Sequence, residues 1–210
     1  SVTYDISGLS ALSNLSYLDI YNSYSNADIK GIDAIISVSK LKGLELKGYF
    51  GDIYQDIIDR LPVTLDRLRM EKFDYYSSGN TVTAEASVDL SRLTQLSYVY
   101  LDGFNSVTGL DKLASDNGIV VQIMGNRKTK LNFSSISDKV IRLHLYNCIL
   151  EDGTSISKVP ANVEYLTINN CGVTDINVGN AKNLRGLSLS GNELNSMSDI
   201  SGLSEKEIRE

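Results

Sequence analysis

The chain has 210 residues, 42% of them apolar and 22% charged, and a formal net charge of −6. That apolar share is enough for a buried core and excludes an intrinsically disordered chain, while no run approaches the roughly 20 apolar residues that a membrane span needs. The acidic balance argues against a nucleic-acid partner, because affinity for phosphate backbones comes mainly from Lys and Arg spread over a broad patch.

The first residues, Ser1 to Ile6, lack the basic start and apolar stretch of a signal peptide. Ser1 in place of an initiator Met, and the charged run Ser204 to Glu210, suggest a piece of a longer protein. From there a short pattern recurs, in which two apolar residues flank one other residue: Leu18 and Ile20, Leu44 and Leu46, Leu68 and Met70, Val99 and Leu101. It continues at Val121 and Ile123, Leu143 and Leu145, Leu166 and Ile168, Leu187 and Leu189. Three residues before each copy stands another apolar residue (Leu15, Leu41, Leu65, Leu96, Val140, Val163, Leu184), except at Gly118. Successive copies are 26, 24, 31, 22, 22, 23 and 21 residues apart. Each copy reads as a short strand with period-two alternation, then a turn and a looser return.

Between strands, Asp52 to Leu61 puts Ile53, Ile57, Ile58 and Leu61 on one helical face. The 31-residue step holds an insertion over 74–88, read as a loop or hairpin. A second helix is predicted from Val107 through Leu110 and Leu113, with Gly118 as its C-terminal cap. The residue after each strand, where a small polar side chain can bond the turn backbone, is Ser23, Tyr49, Phe73, Phe104, Asn126, Cys148, Cys171 and Asn192. Aromatic residues at three of the first four positions predict an aromatic spine in the N-terminal half. Cys148 and Cys171 fall at equivalent places on adjacent copies, and parallel stacking holds their Cβ atoms wider than a relaxed disulfide prefers, so two buried thiols are expected.

One such copy cannot bury its apolar stripe alone, so the copies must stack. Spacing mostly within 20 to 29 residues predicts an α/β leucine-rich-repeat solenoid of about eight repeats, forming a single domain over 1–210. A curved parallel sheet would line its concave face, with short helices, turns and loops on the convex face. The wording from Asp5 to Ile20 resembles the repeats of bacterial internalin-like surface proteins, and its opening hexamer DISGLS recurs at Asp199 to Ser204. Leu61-Pro62-Val63-Thr64-Leu65 and Val159-Pro160-Ala161-Asn162-Val163 resemble instead the LPxxL repeats of secreted bacterial effectors. The first resemblance implies adhesion or receptor binding through the concave face, without a cofactor, in a secreted or cell-surface setting.

The outward strand positions are therefore the candidate surface. Between the buried pairs stand Asp19, Glu45, Arg69, Tyr100, Gln122, His144, Thr167 and Ser188. One column beyond are Tyr21, Lys47, Glu71, Asp102, Met124, Tyr146, Asn169 and Ser190, and on the preceding side Tyr17, Arg67, Tyr98, Arg142 and Tyr165. Six of the twelve tyrosines occupy these columns, and Tyr is favoured at interfaces for its large, rigid contact area and polar tip. The partner-binding candidates are Tyr17, Tyr21, Arg69, Tyr98, Tyr100, Gln122, His144, Tyr146, Tyr165 and Asn169, with a protein or a glycan as partner. Arg67, Arg69, Glu71 and Lys72 read as a solvated face with cross-strand ion pairs. His144, the only histidine, has no accompanying nucleophile, and no catalytic or phosphate-binding motif occurs, so neither an enzyme nor a metal or cofactor site is expected. A structural spacer in a larger surface or tail protein and an intracellular effector scaffold remain the alternatives.

Overall fold

The computed structural model describes residues 2–22, 27–72 and 86–203. Its elements in chain order are β1 (Val2–Asp5), β2 (Tyr17–Tyr21), β3 (Ala27–Lys30), β4 (Gly43–Lys47), the helix α1 (Tyr54–Arg60), β5 (Arg67–Glu71), β6 (Ser87–Asp89) and β7 (Tyr98–Asp102). There follow β8 (Ser106–Thr108), β9 (Ile119–Leu131), β10 (Val140–Leu150), β11 (Ser155–Ile156), β12 (Tyr165–Asn169), β13 (Asp175–Asn177), β14 (Gly186–Ser188) and β15 (Ile200–Ser201). Five short 3₁₀ turns complete the return segments among the described residues.

The main sheet has the path β14-β12-β10-β9-β7-β5-β4-β2, every pair parallel and every strand contributed by the next stretch of chain. This is an α/β architecture in which each coil stacks on the one before it. Register explains why. Ile20, Leu46, Met70, Leu101, Ile123, Leu145 and Ile168 are successive cross-strand partners, and so are the residues two before them from Leu18 to Leu187. Between β4 and β12 both rows are essentially without solvent contact. A shift of one residue in any strand would turn its apolar pair outward, so burial alone fixes the register.

The missing apolar residue before the fifth copy is supplied locally. Ile119, fully buried, pairs with Val140, and the strand opposite absorbs the one-residue shortfall in an irregularity at Ile141, whose side chain lies over Gly118. Gly118, at φ +76°, makes the turn into β9 and is not a helix cap. The helix expected over 107–118 is absent. Val107 instead sits in β8, buried between Val88 and the end of β9, and only Leu110–Lys112 form a 3₁₀ turn. Pairing with neighbouring coils has overridden local helical spacing there.

The first expected helix does form, as α1, with Ile57, Ile58 and Leu61 buried. Tyr54 is buried as well, donating from its hydroxyl to the Gly48 carbonyl at 2.7 Å and accepting from the Phe50 N–H at 3.2 Å. Its ring meets Phe104 edge-on at 5.1 Å. A helix cannot extend a strand ribbon, and Gln55 solves this: its side-chain amide donates to the Asp89 carbonyl and accepts from the Asp89 N–H at 2.8 Å, standing in for a strand edge beside β6. The return side is otherwise stitched by separate parallel ribbons: β1 with β3, β6 with β8 and the far end of β9, and β11 with β13 and β15. The ends of β9 and β10 also pair there, through Thr129 to Leu131 and Cys148 to Leu150. The ribbon then stops, and the chain steps across 151–154 to begin the next one at β11.

The turn positions follow the expectation in part. Ser23 and Phe73 lie outside the described residues. In the first coil the buried turn residue is Asn22, which donates to the Tyr49 carbonyl at 3.1 Å. Phe104 is buried and Tyr49 half-buried, while Phe50 next to it is buried against Tyr4. Asn126 is not a ladder residue: it is exposed, because β9 carries extra residues between Met124 and Thr129. Thr129, fully buried, takes its place and hydrogen-bonds the Phe104 carbonyl. Cys148 and Cys171 are buried free thiols, each 3.3 Å from a carbonyl of its own coil, at Tyr146 and Asn169. The adjacent Cys171 thiol and burial push the Cys148 thiol upward. Asn192 donates to the Ile168 and Leu189 carbonyls at 2.6 and 2.9 Å. The insertion over 74–88 lies outside the described residues apart from its end, which belongs to β6.

Candidate functional site

The alternation that buries one side chain leaves its neighbours outward, so the main sheet presents three cross-strand rows. The first runs Tyr17, Gly43, Arg67, Tyr98, Val120, Arg142, Tyr165 and Gly186. The second runs Asp19, Glu45, Arg69, Tyr100, Gln122, His144, Thr167 and Ser188. The third runs Tyr21, Lys47, Glu71, Asp102, Met124, Tyr146 and Asn169.

Charges of the second and third rows largely neutralise one another. Lys47 reaches Glu45 at 2.6 Å and Asp19 at 3.2 Å, and the Tyr17 hydroxyl donates to Glu45. Those two partners hold the Glu45 carboxyl below its usual range, whereas desolvation and the Glu45 contact push the Tyr17 phenol up to about 12. The acidic pair Asp19 and Glu45 is thus occupied by an ammonium. Arg69 bonds Glu71, comes within 4.0 Å of Glu45, and stacks on Tyr100 with 4.5 Å from guanidinium carbon to ring centre.

Asp102 is the exception. It is half-buried and faces Glu71 directly across the strands, so desolvation and that like charge raise its carboxyl to about 6. The native state therefore holds the Asp102 proton more tightly than the unfolded chain, and stability falls as pH rises from about 4 to 6 and levels off above that. Asp102→Asn removes this slope. A pKa raised by about two would be worth about 3 kcal/mol; because the group keeps part of its solvent contact, the expected gain at pH 7 is about 1 to 2 kcal/mol. Urea unfolding of both proteins at pH 4 and pH 7 checks it, and an unchanged slope in the variant would refute the assignment.

The first row is built differently. Arg67 stacks on Tyr98 at 4.5 Å and Arg142 on Tyr165 at 4.7 Å, each guanidinium over the ring one strand along. Tyr17 and Tyr165 lean over the glycines beside them: a Cβ on Gly43 would lie 2.5 Å from the Tyr17 ring, and one on Gly186 would lie 2.9 Å from the Tyr165 ring. His144, in the second row, is half-buried, and desolvation together with Arg142 lowers its pKa, so it is neutral at pH 7.

Of the predicted residues, the fold brings Arg69, Tyr98, Tyr100, Gln122 and His144 together on four consecutive strands, with Tyr146 beside His144 and Tyr165 one strand on. Tyr17 and Tyr21 lie on β2, six strand spacings from Tyr165, or about 29 Å away. Asn169 is committed to the sheet edge, accepting from the Ser188 hydroxyl and the Ser190 N–H at 3.1 and 3.0 Å. Two features escaped selection from sequence: the arginines Arg67 and Arg142, whose signal was a Tyr at the matching position one coil later, and the glycines that make room for rings.

A cavity of about 510 Å³ opens on the return side, lined among others by Phe133, Ile136, Asp152, Ile156, Lys158 and Pro160. Its polar groups are already engaged in holding the step after β10. Asp152 accepts from the Phe133 and Ser134 N–H groups at 2.9 and 2.7 Å, and Asp138 binds the Ala161 N–H and Lys158. The outward rows are the better candidate. Comparison with protein-family models, with curated proteins and with solved structures finds no match for the chain. Among the described residues, no helix is long and apolar enough to cross a membrane.

Proposed function

We propose that the chain is a leucine-rich-repeat recognition module that binds a protein or glycan partner on the outward, concave face of its main sheet and carries out no catalysis. The observation behind this reading is the pairing of Tyr98 and Tyr100 in adjacent rows, each braced by an arginine of the preceding strand. Rings held in this way offer contact area with little rotamer entropy left to lose, which is what interface tyrosines contribute. Rigid backbone beneath them is supplied by parallel strands on both sides. The wording of Asp5 to Ile20 supports adhesion in a secreted or cell-surface setting.

Fluorescently labelled protein is expected to bind intact epithelial cells in flow cytometry, and Tyr98→Ala with Tyr100→Ala is expected to weaken this at least about tenfold while the circular dichroism spectrum is unchanged. Equal binding by a folded double variant would remove the support for this face. Retained attachment after exchange of the whole segment for an unrelated solenoid would favour a spacer instead.

A further inference from the structure

Resting on the concave-face reading, we propose that the first row between Arg67 and Arg142 is a subsite for a uronic-acid-bearing polysaccharide, whose carboxylates the two guanidiniums hold. Stacking on a ring uses the face of a guanidinium and leaves its in-plane N–H edge pointing away, and that edge is the part matched to a planar carboxylate. Three arginines of this sheet are stacked in this manner, and they differ in what their edges do. Arg69 spends its edge on Glu71 and approaches Glu45. Among the described residues, Arg67 and Arg142 form no side-chain hydrogen bond and no ion pair beyond the ring contacts. Both side chains are exposed.

The row as a whole segregates charge. It contains two cations and no carboxylate in a chain of net charge −6. Arg67 and Arg142 are three strand spacings apart, about 14 Å, with Tyr98 and Val120 between them. Alongside lie Gln122, His144 and Thr167, neutral hydrogen-bonding groups suited to hydroxyls. A polymer with carboxylates at intervals can engage both arginines at once and lie along the outer edges of the Tyr98 and Tyr165 rings, whose faces carry the guanidiniums. A single uronate can reach only one arginine and loses the gain from linked contacts.

Isothermal titration of the folded chain with a galacturonate hexamer and with the monomer tests this. The hexamer is expected to bind, far more tightly than the monomer, and more weakly as salt is raised. Arg67→Gln and Arg142→Gln are each expected to cost about tenfold in affinity, and the pair more, whereas Lys128→Gln, an equal charge change away from the row, costs nothing measurable. Hexamer binding that is absent, or unchanged in the double variant, overturns the proposal. So does tighter arginine-dependent binding of a polyglutamate peptide or of a sulfated oligosaccharide, since either would assign the row to another ligand. If uronate binding fails while cell binding still depends on Tyr98 and Tyr100, this inference falls and the concave-face reading stands.

Discussion

Leu101→Ala is expected to lower the unfolding free energy by about 3 to 5 kcal/mol, among the largest effects of any single truncation in the chain. Leu101 has no solvent contact and lies between Met70 on one strand and Ile123 on the next. Its removal leaves a cavity that neither neighbour can fill, because both are held in register by their own cross-strand partners. The row also predicts its own gradient. Leu189, at the equivalent place after β14, is only half-buried, so Leu189→Ala should cost about 1 kcal/mol or less. Urea unfolding of the two variants measures the difference, and similar losses in both would mean that stacking between coils is not the main source of stability.

Gly48→Ala is expected to cost about 3 kcal/mol, although it adds a single methyl group. Gly48 leaves β4 at φ +123°, and a Cβ there would lie 2.3 Å from the Asn22 carbonyl oxygen of the preceding coil. Its N–H donates to the Glu71 carbonyl of the next coil at 2.8 Å and its own carbonyl accepts from Tyr54 of α1, so the turn cannot move away from Asn22 without breaking these bonds. Gly51, at φ +70° with open space around its missing Cβ, is the control. Gly51→Ala bears the backbone strain alone, about 1 kcal/mol. Thermal melts that place the two variants together would show that the close approach to Asn22 is not what requires glycine.

The main sheet was legible in sequence because its signal is redundant. Each strand repeats the same two apolar positions, and burial of that one face leaves only one register, so the outward rows could be read before any coordinates. The return side was not legible. Strands such as Ser87–Asp89 and Ser155–Ile156 are too short to show alternation, and they exist only because a neighbouring coil offers backbone groups to pair with. For the same reason Val107 looked helical: its spacing to Leu110 and Leu113 fits a helix, but its partners are Val88 and the end of β9. Asn126 was misplaced because three extra residues in β9 have no composition that marks them. At the candidate site, the residue types were visible but the stacked pairs were not. Arg67 and Tyr98 are 31 residues apart, and only register reveals that they touch.

The step at 151–154 moves the return pairing without interrupting it, and this has a mechanical consequence. The ends of β9 and β10 pair on the return side, and after the step β11, which follows β10 in the same coil, pairs with β13 while β10 pairs with β12. The Thr174 N–H also donates to the Thr154 carbonyl at 3.0 Å. Neighbouring coils are thus tied on both sides of the core, so any change of curvature must stretch one hydrogen-bonded layer against the other. The stack is therefore stiff next to Arg142 and Tyr165, and the reach between the two arginines of the first row is set by the sheet.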